Sequence, residues 1–176
     1  MKNNQTAVFG GGCFWCTEAI YKRVKGVIKV EPGYAGGHAE NPTYQSVCSG
    51  STGHAEVVRI TYDPIIVSYS DLLEIFWYAH DPTTLNRQGN DIGPQYRSII
   101  FYENEEQRQL AESSLKGADA GEMFRKPIVT LIETLKTFYL AEDYHFDYFA
   151  NNPNQPYCRA VIAPKVQHFM EGYQAN

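Results

Sequence analysis

The stretch GGCFWCTEA (residues 11–19) sets two thiols three positions apart directly after a run of glycines, with Phe14 and Trp15 between them. A cysteine where a strand, a glycine turn and a helix start meet lies near the positive end of the helix dipole and its unpaired N–H groups. That placement favours thiolate and is expected to lower the pKa of Cys13. The glycines let the backbone approach a bound ligand closely. Cys16, one turn on, is placed to face Cys13 and close a disulfide as thioredoxin-like motifs do. The same C-x-x-C spacing also serves as half a zinc site, but Cys48, Cys158 and the 5 histidines offer no second pair at ligand spacing, so no metal is expected. Cys48, in SVCSG, has no chemical context and reads as inert.

Glu56 is the sharpest single residue outside that turn. HAEVVRITYDP (54–64) alternates, with Glu56, Val58, Ile60 and Tyr62 on one face and Ala55, Val57, Arg59 and Thr61 on the other. A carboxyl group heading an apolar stripe should point inward, hold its proton to higher pH and be able to donate it. The bland alternative is a strand-end carboxylate that reaches water. Tyr44, Asp91 and Tyr96 lie in or beside long loops, where a phenol either donates to a polar ligand atom or anchors its loop. His145 and Tyr148, three apart in EDYHFDY, share one helix face, although a lone histidine there equally suits packing. Cys158, in NPNQPYCRAV, stands in a tail able to carry a thiol to a reaction centre.

The elements that must position these groups follow from periodicity. TAVFG (6–10) reads as a buried strand, and the segment from Cys13 as a helix with Ala19, Ile20 and Val24 on one side and Gly26 as its stop. VIKVEPGYAGG is a strand running into a glycine-rich loop. Ser70 is expected to cap the helix DLLEIFWYAH, whose Leu73, Phe76, Trp77 and His80 share a face. Residues 81–98 lack periodicity, and a loop of that length inside a domain is usually functional. SIIFY is a core strand, Asn104 opens a charged helix over 105–120, PIVTLIETL is a strand and LAEDYHFDYFANN a short helix. Residues 151–176 read as a Pro/Asn-rich tail. Strands alternating with helices imply α/β or α+β.

At 176 residues the chain fits a single domain, with a core over about 6–150 and the tail over 151–176. A net charge of −5 argues against nucleic acid or an anionic membrane as a partner. No run of apolar residues is long enough to cross a membrane, and MKNNQTAVF has no signal-like apolar region, so the cytosol is expected.

Taken in order, GGCFWCTEA, PGYAGGHAENPTYQSVCSGSTGHAEVVRITYDP, FWYAHDPTTLNRQGNDIGPQYRSIIFY and AEDYHFDYFANNPNQPYC resemble the type A peptide methionine sulfoxide reductases from about residue 6 to 164. The resemblance implies that Cys13 is the nucleophile and that Phe14 and Trp15 form an apolar pocket for the S-methyl group. It makes Glu56 the acid, Tyr44 and Tyr96 the donors to the sulfoxide oxygen, and Asp91 a residue that orders the site. His145 and Tyr148 fall on the substrate side. Cys158 matches the family's first recycling cysteine, with Cys16 as a local alternative where many members have glycine. Phe146 replaces the more usual glutamine. The implied fold is α+β, a ferredoxin-like mixed sheet with packed helices and a long coiled C-terminal segment. The implied partners are methionine sulfoxide, free or in oxidised proteins, and thioredoxin or a similar dithiol. No cofactor is expected, and a monomer is.

Two other functions fit parts of the sequence. A general C-x-x-C disulfide oxidoreductase would use Cys13 and Cys16 but leave Glu56 without a task. A binding module gripping thioethers through Phe14 and Trp15 would leave both the thiol and the acid unexplained.

Overall fold

The apolar run that precedes the glycines forms the central strand β1 (Gln5–Gly11). It is flanked on both sides by antiparallel partners, β3 (Ala55–Tyr62) and β6 (Ser98–Tyr102). The computed structural model describes residues 3–174, with the side chain of Gln174 left out; residues 1–2 and 175–176 of the expected unit lie outside the described residues.

β2 (Val27–Ala35) pairs antiparallel with β3 on one side and with β8 (Phe138–Leu140) on the other. β7 (Leu131–Thr134) adds parallel to β6, giving a six-stranded mixed sheet in the order β7-β6-β1-β3-β2-β8. The alternation in β3 divides as its sequence implies. Val58, Ile60 and Tyr62 enter the main core with Phe9, whereas Ala55 and Val57 join Val8, Ala35, Ile99 and Phe101 in a smaller cluster.

Over the main core lie α1 (Phe14–Tyr21) and α3 (Tyr69–Ala79), the latter burying Leu72, Leu73, Phe76 and Trp77. The cap of α3 is Ser68 rather than Ser70. Ser68 Oγ accepts from the Asp71 amide and the Asp71 carboxylate accepts from the Ser68 amide, a reciprocal box that Ser70 cannot form from inside the helix. Asn104 caps α4 (Glu105–Ala120) as its side chain suggests. The aperiodic stretch 81–98 contains a two-residue hairpin, β4 (Arg87–Gln88) with β5 (Asp91–Ile92), and a 3-10 turn at Pro94–Tyr96.

The C-terminal segment departs from the expected coil. A π-helical turn (Cys158–Ile162) runs into α6 (Ala163–Gln174), and Cys158, Ile162, Val166 and Phe169 are buried in the main core. Ile162, Val166 and Phe169 recur at helical spacing, so burying that stripe outweighs the prolines and asparagines before it. The expected helix over the 140s is also interrupted. A 3-10 turn (Asp143–His145) and a short α5 (Tyr148–Asn151) are separated by Asp147, whose φ of 54° is left-handed. The fold is therefore α+β with helical rather than coiled C-terminal packing. No helix among the described residues is long and apolar enough to cross a membrane.

Candidate active site

β1 delivers the chain to the turn, and Gly12 makes the turn possible: its φ is +89°, and a Cβ there would lie 2.6 Å from Gln88 Cγ. Cys13 is then the N-cap of α1, with extended backbone (φ −61°, ψ 126°), and its carbonyl accepts from the amides of Cys16 (3.1 Å) and Thr17 (3.4 Å). The first amides of a helix have no acceptor within it. At α1 the carboxyl group of Glu56 fills that need, since the Phe14 amide donates to Oε1 at 3.1 Å. Glu56 reaches this point because β2–β3 pairing sets it opposite Tyr34, and Gly10 in β1 leaves room for the strand beside it.

Glu56 is only 1% exposed, and its Oε2 has no partner. Burial pushes its pKa up to about 8, against the lowering effect of the Phe14 amide; Asp91 and Cys16 add to the rise. The inward-facing acid read from the strand alternation is thus where that reading puts it. At neutral pH it carries its proton.

The thiols behave differently from the dipole argument. Burial raises Cys13 well above an ordinary thiol, and its neighbours Cys16 and Glu56 add to the rise. Cys16 is lowered, chiefly by a hydrogen bond from Cys13, with help from Lys165 and Tyr157. A short helix start cannot offset the loss of water around Cys13. The first negative charge on this pair settles on Cys16, toward Lys165, rather than on Cys13 against the carboxyl group.

Aromatic rings surround the turn. Phe14 lies 5.6 Å from Tyr34, 6.2 Å from Tyr44 and 4.9 Å from His145, centroid to centroid. Trp15 stacks flat on Tyr148 at 3.7 Å and 7°. Its indole Nε1–H donates to His145 Nδ1 at 2.9 Å, which fixes the tautomer and leaves Nε2 as a buried N–H without a partner. Burial lowers His145 to about 4, so the ring is neutral. Two orphaned buried polar atoms, Glu56 Oε2 and His145 Nε2, therefore border one aromatic site, the pattern expected where a ligand completes the bonding.

The loop residues converge on the same place. Tyr44 opens α2 (Tyr44–Cys48), packs on Phe14, Trp15 and His145, and has its phenol raised by burial and then by Glu56. Tyr96 closes the 3-10 turn and is raised by burial, Glu56, Cys48, Asp91 and Cys13. Asp91 accepts from the Tyr157 hydroxyl at 2.5 Å. Cys48 is exposed but stands beside Tyr44, closer to the site than an inert reading of SVCSG implies. Cys158 is fully buried and is affected by Cys16 rather than Cys13.

Three participants escape the sequence reading. Tyr157 bonds Asp91 and meets Trp15 edge-on at 5.9 Å. Tyr34 and the Tyr44 amide both donate to Glu142, at 2.9 and 2.8 Å, so this carboxylate ties α2 to β2. The only hint of Tyr157 was its place next to Cys158, and nothing in AEDYHF singled out Glu142 from the acids around it.

Comparison with known proteins points one way. The family model for peptide methionine sulfoxide reductase matches residues 5–176. A peptide methionine sulfoxide reductase MsrA of Saccharolobus solfataricus is 59% identical over 167 residues, covering 95% of this chain and 93% of its own. Among solved structures, reduced Mxr1 of Saccharomyces cerevisiae superposes with a TM-score of 0.83 at 33% identity, covering 88% of this chain and 89% of its own. Methionine sulfoxide reductase A of Corynebacterium diphtheriae gives a TM-score of 0.78 at 36% identity, covering 88% and 78%.

Proposed function

Because the chain belongs to the peptide methionine sulfoxide reductase family, we propose that Cys13 attacks the sulfur of a methionine sulfoxide whose oxygen is protonated by Glu56. The reaction is the thiol-dependent reduction of methionine S-sulfoxide to methionine. A sulfoxide sulfur is a poor electrophile until its oxygen receives a proton or strong hydrogen bonds. Glu56, neutral at pH 7, supplies the proton, and the phenols of Tyr44 and Tyr96 bond the oxygen as the S–O bond weakens. Phe14 and Trp15 hold the S-methyl group, Tyr148 and His145 complete that wall, and Asp91 keeps Tyr157 and the 81–98 loop in place. Attack forms a bond between Cys13 Sγ and the substrate sulfur. The protonated oxygen then passes to Sγ as this S–S bond and the S–O bond both break, leaving Cys13 as sulfenic acid and methionine with the released electron pair. The thiol is thereby oxidised by two electrons and the sulfoxide reduced by two. Protonation of Glu56 also removes one of the charges that oppose ionisation of Cys13, after the larger effects of burial and Cys16.

The observation that carries this reading is the 3.1 Å bond from the Phe14 amide to Glu56 Oε1, which fixes a buried acid one residue from the attacking thiol with its second oxygen unoccupied. The sulfenic acid then condenses with a second thiol, releasing water. Cys158 matches the family's first recycling cysteine, but the contact between Cys13 and Cys16 favours Cys16 here. Cys13 at the N-cap and Cys16 one turn on share a hydrogen bond, and the extended N-cap backbone avoids the strain of a pair inside a helix. Cys16 is therefore proposed to resolve first. An external dithiol such as thioredoxin resets the enzyme, and the yeast relative Mxr1 has been solved in complex with Trx2. A reducing compartment such as the cytosol suits that cycle. The core order β6-β1-β3-β2, with α1 and α3 as crossovers, supports a ferredoxin-like label for one catalytic domain, which we take to act as a monomer.

The test is a single turnover on a chiral sulfoxide without reductant, followed by mass mapping. The S epimer should yield methionine and a Cys13–Cys16 bridge. A bridge from Cys13 to Cys158 would reverse the order of resolution, and unchanged turnover in Cys13→Ser would remove the mechanism.

A further inference from the structure

Beside the reacting groups, α1 carries a stripe at positions 15, 18 and 22, spaced to lie on one helix face. All three residues grip the same short segment. Trp15 bonds His145 and stacks on Tyr148, the Glu18 carboxylate accepts from the Asp147 amide at 3.1 Å and from the Tyr148 amide, and Lys22 pairs with the Asp147 carboxylate. Glu18 is the anomaly, because its side chain is 1% exposed and takes no part in the chemistry above. Burial raises it to about 7, against the pull of Lys22 and the Tyr148 amide, so the fold tolerates a poorly solvated carboxyl group here. What it secures is Asp147, the left-handed residue that reverses the chain between His145 and α5. A non-glycine residue in that region persists only when its surroundings hold it there. Without an acceptor below the turn, the Asp147 and Tyr148 amides would lose the side-chain oxygen they bond and the turn would relax.

Resting on the pocket reading of Trp15 and Tyr148, we infer that Glu18 is a positioning residue for substrate binding, holding the Asp147 turn so that Tyr148 lies flat on Trp15 and closes the methyl-binding wall. It touches neither sulfur nor oxygen of the substrate. Its loss should therefore weaken binding more than it slows the chemical step.

Steady-state kinetics on a methionine S-sulfoxide peptide with dithiothreitol tests this in Glu18→Leu, which keeps the volume but offers no acceptor, and Glu18→Gln, which keeps an acceptor oxygen. Glu18→Leu should raise KM about tenfold with kcat within about threefold, and Glu18→Gln should stay within about threefold of wild type in both. In a Trp77→Phe background, Glu18→Leu should shift the Trp15 emission as Tyr148→Ala does. The double variant Glu18→Leu/Tyr148→Ala should bind no worse than Tyr148→Ala alone, because one residue acts through the other. Unchanged KM in Glu18→Leu, equal loss in Glu18→Gln, additive losses in the double variant, or failure of Glu18→Leu to fold while Glu18→Gln is neutral would each overturn the inference. If Tyr148→Ala itself leaves KM unchanged, the pocket reading falls instead.

Discussion

Glu56 is a buried carboxyl group held at the start of α1, and its pH dependence is measurable in both rate and stability. Its ordinary pKa is raised by burial to about 8, so the acid form that donates to the sulfoxide is lost as pH rises through about 8. Glu56→Gln should lower kcat/KM by about 10²-fold or more and remove that alkaline limb from the pH–rate profile. On stability the substitution acts in the opposite sense. Between the unfolded pKa near 4.5 and about 8 the native state binds more protons than the unfolded chain, so stability falls as pH rises through this window. At pH 8, Glu56→Gln should melt higher than wild type, by roughly 2 kcal/mol or more in unfolding free energy, because it no longer has a charge to bury. The acid was legible because strand alternation places side chains without knowledge of the tertiary fold. The Cys13 pKa was not, since a dipole argument counts the helix start and cannot see how much water the surrounding rings exclude.

At the scale of elements, the site is an assembly of short pieces held by side chains rather than by long periodic runs. α2, which carries Tyr44, has only five residues and is tied down by Glu142 through the Tyr44 amide and the Tyr34 hydroxyl. Glu142→Ala should leave both donors without their acceptor and raise KM several-fold, with a loss of about 1–3 kcal/mol in stability by chemical denaturation. Gly12→Ala should be worse, because it forces a side chain into a left-handed turn already occupied by Gln88. Its melting temperature should fall by several degrees. β3 announced itself through alternation, β1, β2, β6 and β7 through short apolar runs, and α4 through the Asn104 cap, whereas the three-residue edge strand β8 gave no such signal. The hairpin within 81–98 did not, as its strands are two residues each and are pinned by Gln88, whose side chain bonds both the amide and carbonyl of Asp81. Nor does the sequence reveal the break at Asp147, which depends on Glu18 and Lys22 reaching across from α1.

For the whole molecule, the C-terminal helix is part of the core rather than an appendage. Ending the chain after Tyr157 would strip Cys158, Ile162, Val166 and Phe169 from that core. At roughly 1.5–3 kcal/mol for each buried apolar side chain, the loss rivals the stability of a typical domain. Such a chain should show no cooperative thermal transition by circular dichroism. Its helical stripe was hidden by Pro153, Pro156 and the asparagines ahead of it, which dominate a local reading while burial decides the outcome. One experiment addresses the chemistry at its root. Cys16→Ser/Cys158→Ser, mixed with excess methionine S-sulfoxide and the sulfenic-acid trap dimedone and no reductant, should release one methionine per chain and carry the label on Cys13. Methionine released with the label elsewhere, or released equally when Cys13 is also serine, would contradict attack by Cys13 beside the Glu56 acid.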